Sequence, residues 1–401
     1  MKIILTGATG FLGRQLVPIL ERSDHQILLA GRDLEKLAMQ FPDASHCHYD
    51  DLEVNATGCD LLIHLAVLNN SSKEGLNQFR KVNVVFFRSV INAATKAGVK
   101  RLVNVTSFHA LEENPKSPYA QSKREALEMT QDVDGLSIIN LFLPAVHGAD
   151  YAGKLSVLNR FPRPIQKALF PCVAALAPTI DVRRIADFID HDIMSSTLTE
   201  PVLLYDPKTE NVMFRFSKRM LDLSFALAVA ALFWWGLLII WVWVKIDSPG
   251  GGIFSQDRVG RDGKLFSCLK FRTMKQGTVQ AGTHEVPASS VTKIGAFLRK
   301  TKIDELPQIW NIFRGELSLV GPRPCLPVQT ELIEARQRRG VDKVVPGITG
   351  LAQINGIDMS NAERLANWDA RYIAQQSLLL DAKIVVATLT GSGQGDLVAA
   401  T

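Results

Sequence analysis

The chain has 401 residues, enough for two or three domains that each bury a core, and its 45 Lys+Arg and 40 Asp+Glu are unevenly spread. Residues 1–206 hold 21 basic against 23 acidic side chains and residues 207–401 hold 24 against 17; the basic half suits anionic lipid headgroups or phosphorylated ligands, and with no nucleic-acid-binding motif nucleic acid is not an expected partner. Cys47, Cys59, Cys172, Cys268 and Cys325 lack C-x-x-C spacing, which indicates neither a zinc site nor a disulfide framework and fits a reducing cytoplasm. The N-terminus runs straight into a strand pattern, so no signal peptide is expected.

In chain order, Lys2 to about Tyr205 alternates short apolar runs (KIILTG, QILLAG, DLLIHLA, RLVNVTS, LSIINLFLP) with helix-length amphipathic stretches such as FFRSVINAATKAG. That alternation predicts a parallel sheet wrapped by helices. Between the first strand and the first helix, TGATGFLG places Gly7, Gly10 and Gly13 where missing side chains let the backbone approach a pyrophosphate and the helix N-terminus offers free N–H groups. An ordinary strand-to-helix turn would show the same triplet, so the rest of the half has to decide. The second strand ends in LAGRD; Arg32 there suits the 2′-phosphate of NADP(H), while Asp33 beside it leaves NAD open.

NVTS ends a later strand at Ser107, and YAQSK sets Tyr119 and Lys123 one helical turn apart on one face. A nearby ammonium favours a phenolate, so a lowered Tyr119 pKa is expected, with Ser107 holding the substrate oxygen. With the glycine loop upstream, these residues make residues 1 to about 205 resemble the short-chain dehydrogenase/reductase superfamily, in its extended or atypical branch that modifies nucleotide sugars. The resemblance implies that Asp51 in YDDLE contacts adenine, that His64–Ala66 line the cofactor, that Lys123 also binds the nicotinamide ribose, and that the chain forms a homodimer. His64 and His109 read more simply as packed or solvated residues. Three departures bear on the reaction. Thr106, Ser107, Phe108 and His109 stand where dehydratases of this branch carry an acidic pair, the substrate-covering region of about residues 148–205 is short, and Arg184 falls where the branch often has Asp.

After the polar junction DPKTENVMFRFSKR, Leu223–Val244 is 22 residues without a charge, long enough to cross a bilayer core of ~30 Å. Lys218 and Arg219 precede it and Lys245, Arg258 and Arg261 follow it, so the positive-inside rule names no outer side. Beyond DSPGGG, helical stretches are expected near 293–314 and 327–339. Asp304-Glu305 is an adjacent carboxylate pair preceded by Arg299, Lys300 and Lys302 and followed by Arg314 and Arg323. Cations so placed could hold a diphosphate and a metal while one carboxylate attacks phosphorus, although a solvated face of mixed charge would look the same in isolation.

Together KRMLD, SPGGGIFSQDRVGRDGKLFSCLKFRTM, TKIDELPQIWNIFRGELSLVGPRP and VVPGITGLAQINGI resemble the monotopic phosphoglycosyl transferases, bacterial sugar transferases that start glycan assembly on a polyprenol phosphate, across nearly all of residues 217–390. The resemblance implies Asp304 as nucleophile on the sugar-proximal phosphate of a UDP-sugar, expelling UMP, with polyprenol phosphate then attacking the aspartyl-phosphosugar. Glu305 would orient or deprotonate, Mg²⁺ would bridge phosphate and Asp304, Arg323 would hold phosphate or nucleotide, and Arg314, Lys270, Arg272 and Arg258 would support it. It also implies a re-entrant helix at the cytoplasmic face of a bacterial inner membrane. The family's Ser-Pro break is missing, and only Gly236, after Trp234-Trp235, can ease a bend.

The expected architecture is therefore α/β: a Rossmann-like dinucleotide-binding domain over 1–205, a linker over 206–217, a membrane-embedded helix over 218–246, a small α/β-type transferase domain over 247–390 and a flexible tail over 391–401. The expected function is NADPH-dependent reduction of a UDP-4-keto-6-deoxy-HexNAc followed by transfer of the sugar phosphate to polyprenol phosphate. A 4-epimerase, or a non-catalytic nucleotide-binding module, fused to the same transferase are the alternatives.

Overall fold

The computed structural model describes residues 1–70, 72–194, 198, 201–275, 277–278 and 290–391; all of the expected tail beyond Gly391 lies outside the described residues. Two compact units are present, Met1–Val173 with Pro178–Asp206, and Ala174–Ala177 with Pro207–Thr401.

The first unit is built on β1 (Lys2–Thr6), β2 (Gln26–Gly31), β3 (Ser45–His48), β4 (Leu61–His64), β5 (Arg101–Ser107) and β6 (Ser137–Leu143), with a short pair β7 (Ala145–His147) and β8 (Thr179–Asp181) and an edge strand β9 (Val202–Leu203). Seven of these form one parallel sheet in the order β3-β2-β1-β4-β5-β6-β9. Its central strands are apolar without alternation because both faces are covered. Ile3, Leu5, Ile63 and Val103 face a core with Leu16 and Leu20 of the helix Phe11–Leu20. Ile4, Leu62 and Leu102 face the opposite core with Phe87, Val90 and Ile91 of the helix Phe87–Lys96. Strand order reverses beside β1, so the crevice at the carboxyl ends of β1 and β4 is the topological switch point where such sheets bind ligands.

The second unit begins with one helix, Val212–Asp247, 36 residues long and so ~54 Å at 1.5 Å per residue. Its first turn is capped by Asn211, whose Oδ1 accepts from the Phe214 amide at 3.0 Å. The helix starts inside the stretch read as a linker. The helix is not broken at Gly236. No proline interrupts residues 212–247, and glycine weakens a helix without removing a hydrogen bond, so the ladder runs through. An antiparallel hairpin follows, β10 (Ile253–Val259) and β11 (Leu265–Phe271), then a short parallel pair, β12 (Ser318–Val320) and β13 (Gly347–Thr349). Helices make up most of the rest, including Lys293–Thr301, Ile309–Arg314, Thr330–Arg338, Ala362–Gln375 and Leu378–Leu389, so the unit is richer in helix than the α/β expectation. The helical stretch expected over 293–314 is divided at Lys302, which is left-handed at φ 57°, and a 3₁₀ segment, Ile303–Gln308, separates its two helices. Pro307 lies within that segment and supplies no N–H to it.

A Cβ added at Gly236 meets nothing within 4 Å. Gly236→Ala is expected to stabilise the chain by up to about 1 kcal/mol, and Gly236→Pro to destabilise it by about 3 kcal/mol or more. Thermal melts of the two variants in detergent, followed by circular dichroism, check both signs.

Candidate functional site

In the first unit, β1 ends at Thr6 and the chain turns at Gly7 with φ +79°; a Cβ there would lie 2.5 Å from the Ala66 amide nitrogen, and one at Gly13 2.4 Å from the Ala8 carbonyl oxygen. These two glycines let β1, the loop after β4 and the helix Phe11–Leu20 close on each other. Gly10 caps that helix without a side chain, leaving its first amides facing a site where no Cβ intrudes, which fits a pyrophosphate. At the end of β2 the two candidate residues separate. Asp33 caps the helix Leu34–Gln40, its Oδ1 accepting from the Lys36 amide at 2.9 Å, while Arg32 is exposed. Asp51 is exposed in the turn after β3, and its carbonyl oxygen accepts from Asn55.

Ser107 ends β5, and the helix Pro118–Glu128 starts just beyond, capped by Ser117, which accepts from the Ala120 amide at 3.1 Å. The fold brings the predicted pair together: the Tyr119 hydroxyl donates to Ser107 Oγ at 3.2 Å. The expected lowering of the Tyr119 pKa is not found. Burial pushes the phenol up, opposed by the Ser107 hydrogen bond, and Lys123 is not among the causes. Lys123 is itself 4% exposed, its ammonium hydrogen-bonds to nothing among the described residues, and burial brings its pKa down to about 8. A buried ammonium without an acceptor suits a ribose hydroxyl, so the residues fit a dinucleotide. His64 is a packed residue, hydrogen-bonded to Thr6 Oγ1 at 2.8 Å and stacked on Phe87 at 4.7 Å; burial, then the Lys123 charge, holds its pKa down to about 3. His109 lies edge-on to Tyr119 and pairs with Glu112 at 2.6 Å. Sequence reasoning missed Asn83, which is buried. It accepts from the Leu68 amide, donates to the Leu68 carbonyl, and donates to Ser122 Oγ, tying the loop after β4 to the Tyr119 helix. No motif marks it.

In the second unit, Asp304 and Glu305 sit in the 3₁₀ segment after Lys302, and β11 and the loop after β12 bring cations to them. Lys270 Nζ donates to Glu305 Oε1 at 2.8 Å, and Arg323 Nη2 is 3.5 Å from the same oxygen. Asp304 is 8% exposed, and its pKa is raised to about 6, by burial first and the Glu305 charge second, against Lys270, Arg299 and Arg323. Lys270 and Arg323 thus pair with Glu305, while Asp304 is the carboxylate whose basicity burial raises. Buried Asn311 fixes the spacing: it accepts from the Leu269 amide and donates to the Ser267 carbonyl, joining the helix after the carboxylates to the strand that carries Lys270.

Three of the expected supporting cations have other work. Arg258 donates to the Pro324 carbonyl at 3.1 Å and to Gln256, bracing the loop that carries Arg323. Arg272 donates to the carbonyls of Pro249, Val244 and Ser248, closing the end of the long helix. Arg314 is exposed and lies over the Trp310 ring at 5.5 Å. Of the expected phosphate-binding set, the Arg272 side chain is directed to a helix terminus and that of Arg314 to an aromatic face. Among the described residues no group of three or more His, Cys, Asp and Glu could hold a metal. The donor set suits Mg²⁺, which binds through one or two carboxylates together with substrate phosphates and keeps several waters.

The family model described as Bacterial sugar transferase matches residues 213–394. The uncharacterized sugar transferase EpsL of Bacillus subtilis is 40% identical over 178 residues, 43% of this chain and 85% of that protein. The exopolysaccharide production protein ExoY of Sinorhizobium fredii is 38% identical over 192 residues, 43% of this chain and 84% of that protein. The chain belongs to the bacterial sugar transferase family. The family's UDP-glucose:undecaprenyl-phosphate glucose-1-phosphate transferase of Escherichia coli is 40% identical over 229 residues, covering 53% of this chain; the chain spans about half, 48%, of that relative's length. Ahead of the sugar transferase half, the model for the NAD dependent epimerase/dehydratase family matches residues 3–169. Among solved structures, the UDP-N-acetylglucosamine 4-epimerase from Bacillus cereus aligns at 16% identity and TM-score 0.41 over 51% of this chain and 78% of that one.

The raised Asp304 pKa sets a stability prediction for the sugar transferase without added metal. The folded state holds the Asp304 proton more tightly than the unfolded chain, whose value is near 3.8. The cost of ionising it is absent below that value, grows as pH rises, and is complete above about 6. Asp304→Asn removes a cost of about 3 kcal/mol. The variant is expected to melt higher than the wild type at pH 8 in chelator and to match it near pH 4.

Proposed function

We propose that the second unit transfers a sugar phosphate from a UDP-sugar to a polyprenol phosphate such as undecaprenyl phosphate. The observation that carries the reading is Asp304, a buried carboxylate of raised basicity beside a second carboxylate already paired to Lys270 and Arg323. Asp304 attacks the sugar-proximal phosphorus, the bond to the bridging oxygen breaks, and UMP leaves with that electron pair. The polyprenol phosphate oxygen then attacks the same phosphorus, frees the Asp304 carboxylate and gives the polyprenyl-diphospho-sugar. Glu305, held by Lys270, orients the acceptor or takes a proton, and Arg323 holds phosphate. Mg²⁺, when bound beside Asp304, would neutralise charge on the diphosphate.

We place the protein monotopically at the cytoplasmic face of a bacterial inner membrane, and the long helix supports the monotopic part of that placement. Lys218 and Val244 both engage the catalytic unit, through Val320 and Asp381 at one end and through Phe271 and Leu298 at the other. They lie ~39 Å apart along the helix, farther than the ~30 Å hydrocarbon core, so a simple span would require the same unit on both sides. Trp234, Trp235, Leu238 and Trp243 stay exposed for lipid.

For the first unit we propose reduction of a UDP-4-keto-6-deoxy-HexNAc at C4, with the product passed on to the transferase reaction, in a homodimer. The nicotinamide supplies the hydride when bound. Tyr119 gives its phenolic proton to the new hydroxyl, Ser107 holds that oxygen, and Lys123 binds the ribose. Exposed Arg32, with Asp33 spent as a helix cap, favours NADP(H). The match to NAD dependent epimerases and dehydratases favours a second reading, 4-epimerisation with a retained NAD(P).

Full-length protein given a UDP-sugar without acceptor lipid is expected to release about one UMP per chain and to gain one phosphosugar by intact mass, and Asp304→Asn to do neither. An unchanged burst in Asp304→Asn contradicts the covalent route. Tyr119→Phe is expected to slow nicotinamide-dependent sugar conversion about 10²–10⁴-fold, read by chromatography of the UDP-sugars, and to leave the UMP burst intact.

A further inference from the structure

The polar turn that leads into the apolar stretch carries Lys218, Arg219 and Asp222, which look in the sequence like charges left at a membrane surface. In the fold all three turn inward. Asp222 is 6% exposed, and its Oδ1 accepts from Ser318 Oγ at 3.0 Å and from the Leu319 amide at 2.9 Å. Lys218 Nζ donates to the Val320 carbonyl at 2.9 Å and to Asp381 Oδ2 at 2.6 Å. Asp381 is held from its other side by the Tyr372 hydroxyl, which donates to Oδ1 at 2.9 Å and lies 3.3 Å from the Val320 oxygen. Arg219 donates through Nη1 and Nη2 to the carbonyls of Ile312 and Phe313 at 2.6 and 3.0 Å.

The partner groups belong to two segments, apart from Asp381. Ser318, Leu319 and Val320 form β12, three residues before Arg323, and the next step, Gly321, is held by its amide on the Thr349 carbonyl. Ile312 and Phe313 end the helix that follows Asp304 and Glu305 without a break in the chain. Arg323 and the carboxylate pair thus come from separate segments, and one helix turn is bonded to both.

We infer that Lys218, Arg219 and Asp222 form a positioning turn that keeps Arg323 in register with Asp304 and Glu305 during phosphosugar transfer. This rests on the proposed transferase reaction. Asp381 apart, the contacts of the three residues run to the two segments, to backbone groups of both and to the Ser318 hydroxyl. Burial of Asp222 makes its contacts exacting, because a buried polar group that loses its partner goes unsatisfied; Lys218 and Arg219 are half-buried beside it. A displacement of about 1 Å at reacting groups is enough to cost roughly 10²-fold in rate.

The test uses full-length protein in lipid nanodiscs, with UMP release measured against UDP-sugar concentration and a thermal melt of each variant. Asp222→Asn keeps an oxygen for both donors and is expected to hold kcat within about threefold of wild type, whereas Asp222→Leu, with no acceptor, is expected to lose roughly 10²-fold in kcat with KM changed less than about threefold. Lys218→Met is expected to follow Asp222→Leu, and melting midpoints of the poor variants need not track their rates. Wild-type kcat in both Asp222→Leu and Lys218→Met overturns the inference. So does a loss in which rate and melting midpoint fall together and Asp222→Asn fares no better than Asp222→Leu, since that is what simple support of the fold would give. Wild-type UMP release in the same assay carries the transferase reading by itself, so failure of that reading shows in the wild type and failure of the positioning turn only in the variants.

Discussion

Two adjacent carboxylates in a buried site cannot both be fully charged without cost, and the second unit is arranged around that constraint. Lys270 and Arg323 pair with Glu305, and at Asp304 burial and its neighbour's charge outweigh the cations and bring it to about 6. A carboxylate in that state is more basic than a solvated one and still ionised near neutrality, which is the balance a nucleophile on phosphorus needs. The three cations that act on it arrive from different pieces of chain: Lys270 from β11, Arg323 from the loop after β12, Arg299 from the helix before the pair. The site therefore depends on the braces that hold those pieces, Asn311, Arg258 and the turn at 218–222.

The first unit meets a different requirement, close approach of backbone to a dinucleotide at the reversal of a parallel sheet. Gly7 and Gly13 allow strand, loop and helix to meet where any Cβ would collide with main chain. Ser107 and Tyr119 then converge from β5 and the following helix, with Lys123 buried nearby at about 8. Joining such a unit to a sugar transferase makes chemical sense under the proposed function, in which one alters the sugar of a nucleotide donor and the other consumes that donor at the membrane.

The parallel sheet was legible because runs such as Ile3–Leu5 and Leu61–Ile63 are apolar at every position, and the glycine loop and the Ser-Tyr-Lys set because their spacing is dictated by local geometry. The carboxylate pair and Arg323 stood out only through the resemblance of the surrounding segments, since the local charge pattern alone reads equally as a solvated face. What the pattern does not reveal are the partners of long cationic side chains, which the fold rather than the local sequence supplies. Arg272 reads like a phosphate ligand and closes a helix end; Arg314 reads likewise and lies on Trp310; Lys218 and Arg219 read like topology signals and are bonded inside the fold. The Tyr119 pKa was expected to fall because one neighbour was weighed and burial was not. The break at Lys302 escapes periodicity because a single left-handed residue leaves the apolar spacing on either side intact.

The central claim is that the two units act in sequence on one sugar nucleotide. It is tested most directly by following NADPH absorbance and UMP release together, with the purified chain in detergent, a UDP-4-keto-6-deoxy-HexNAc, polyprenol phosphate and Mg²⁺. The account predicts that NADPH is consumed and that UMP release depends on that consumption. UMP release from the unreduced sugar nucleotide with NADPH constant would contradict it.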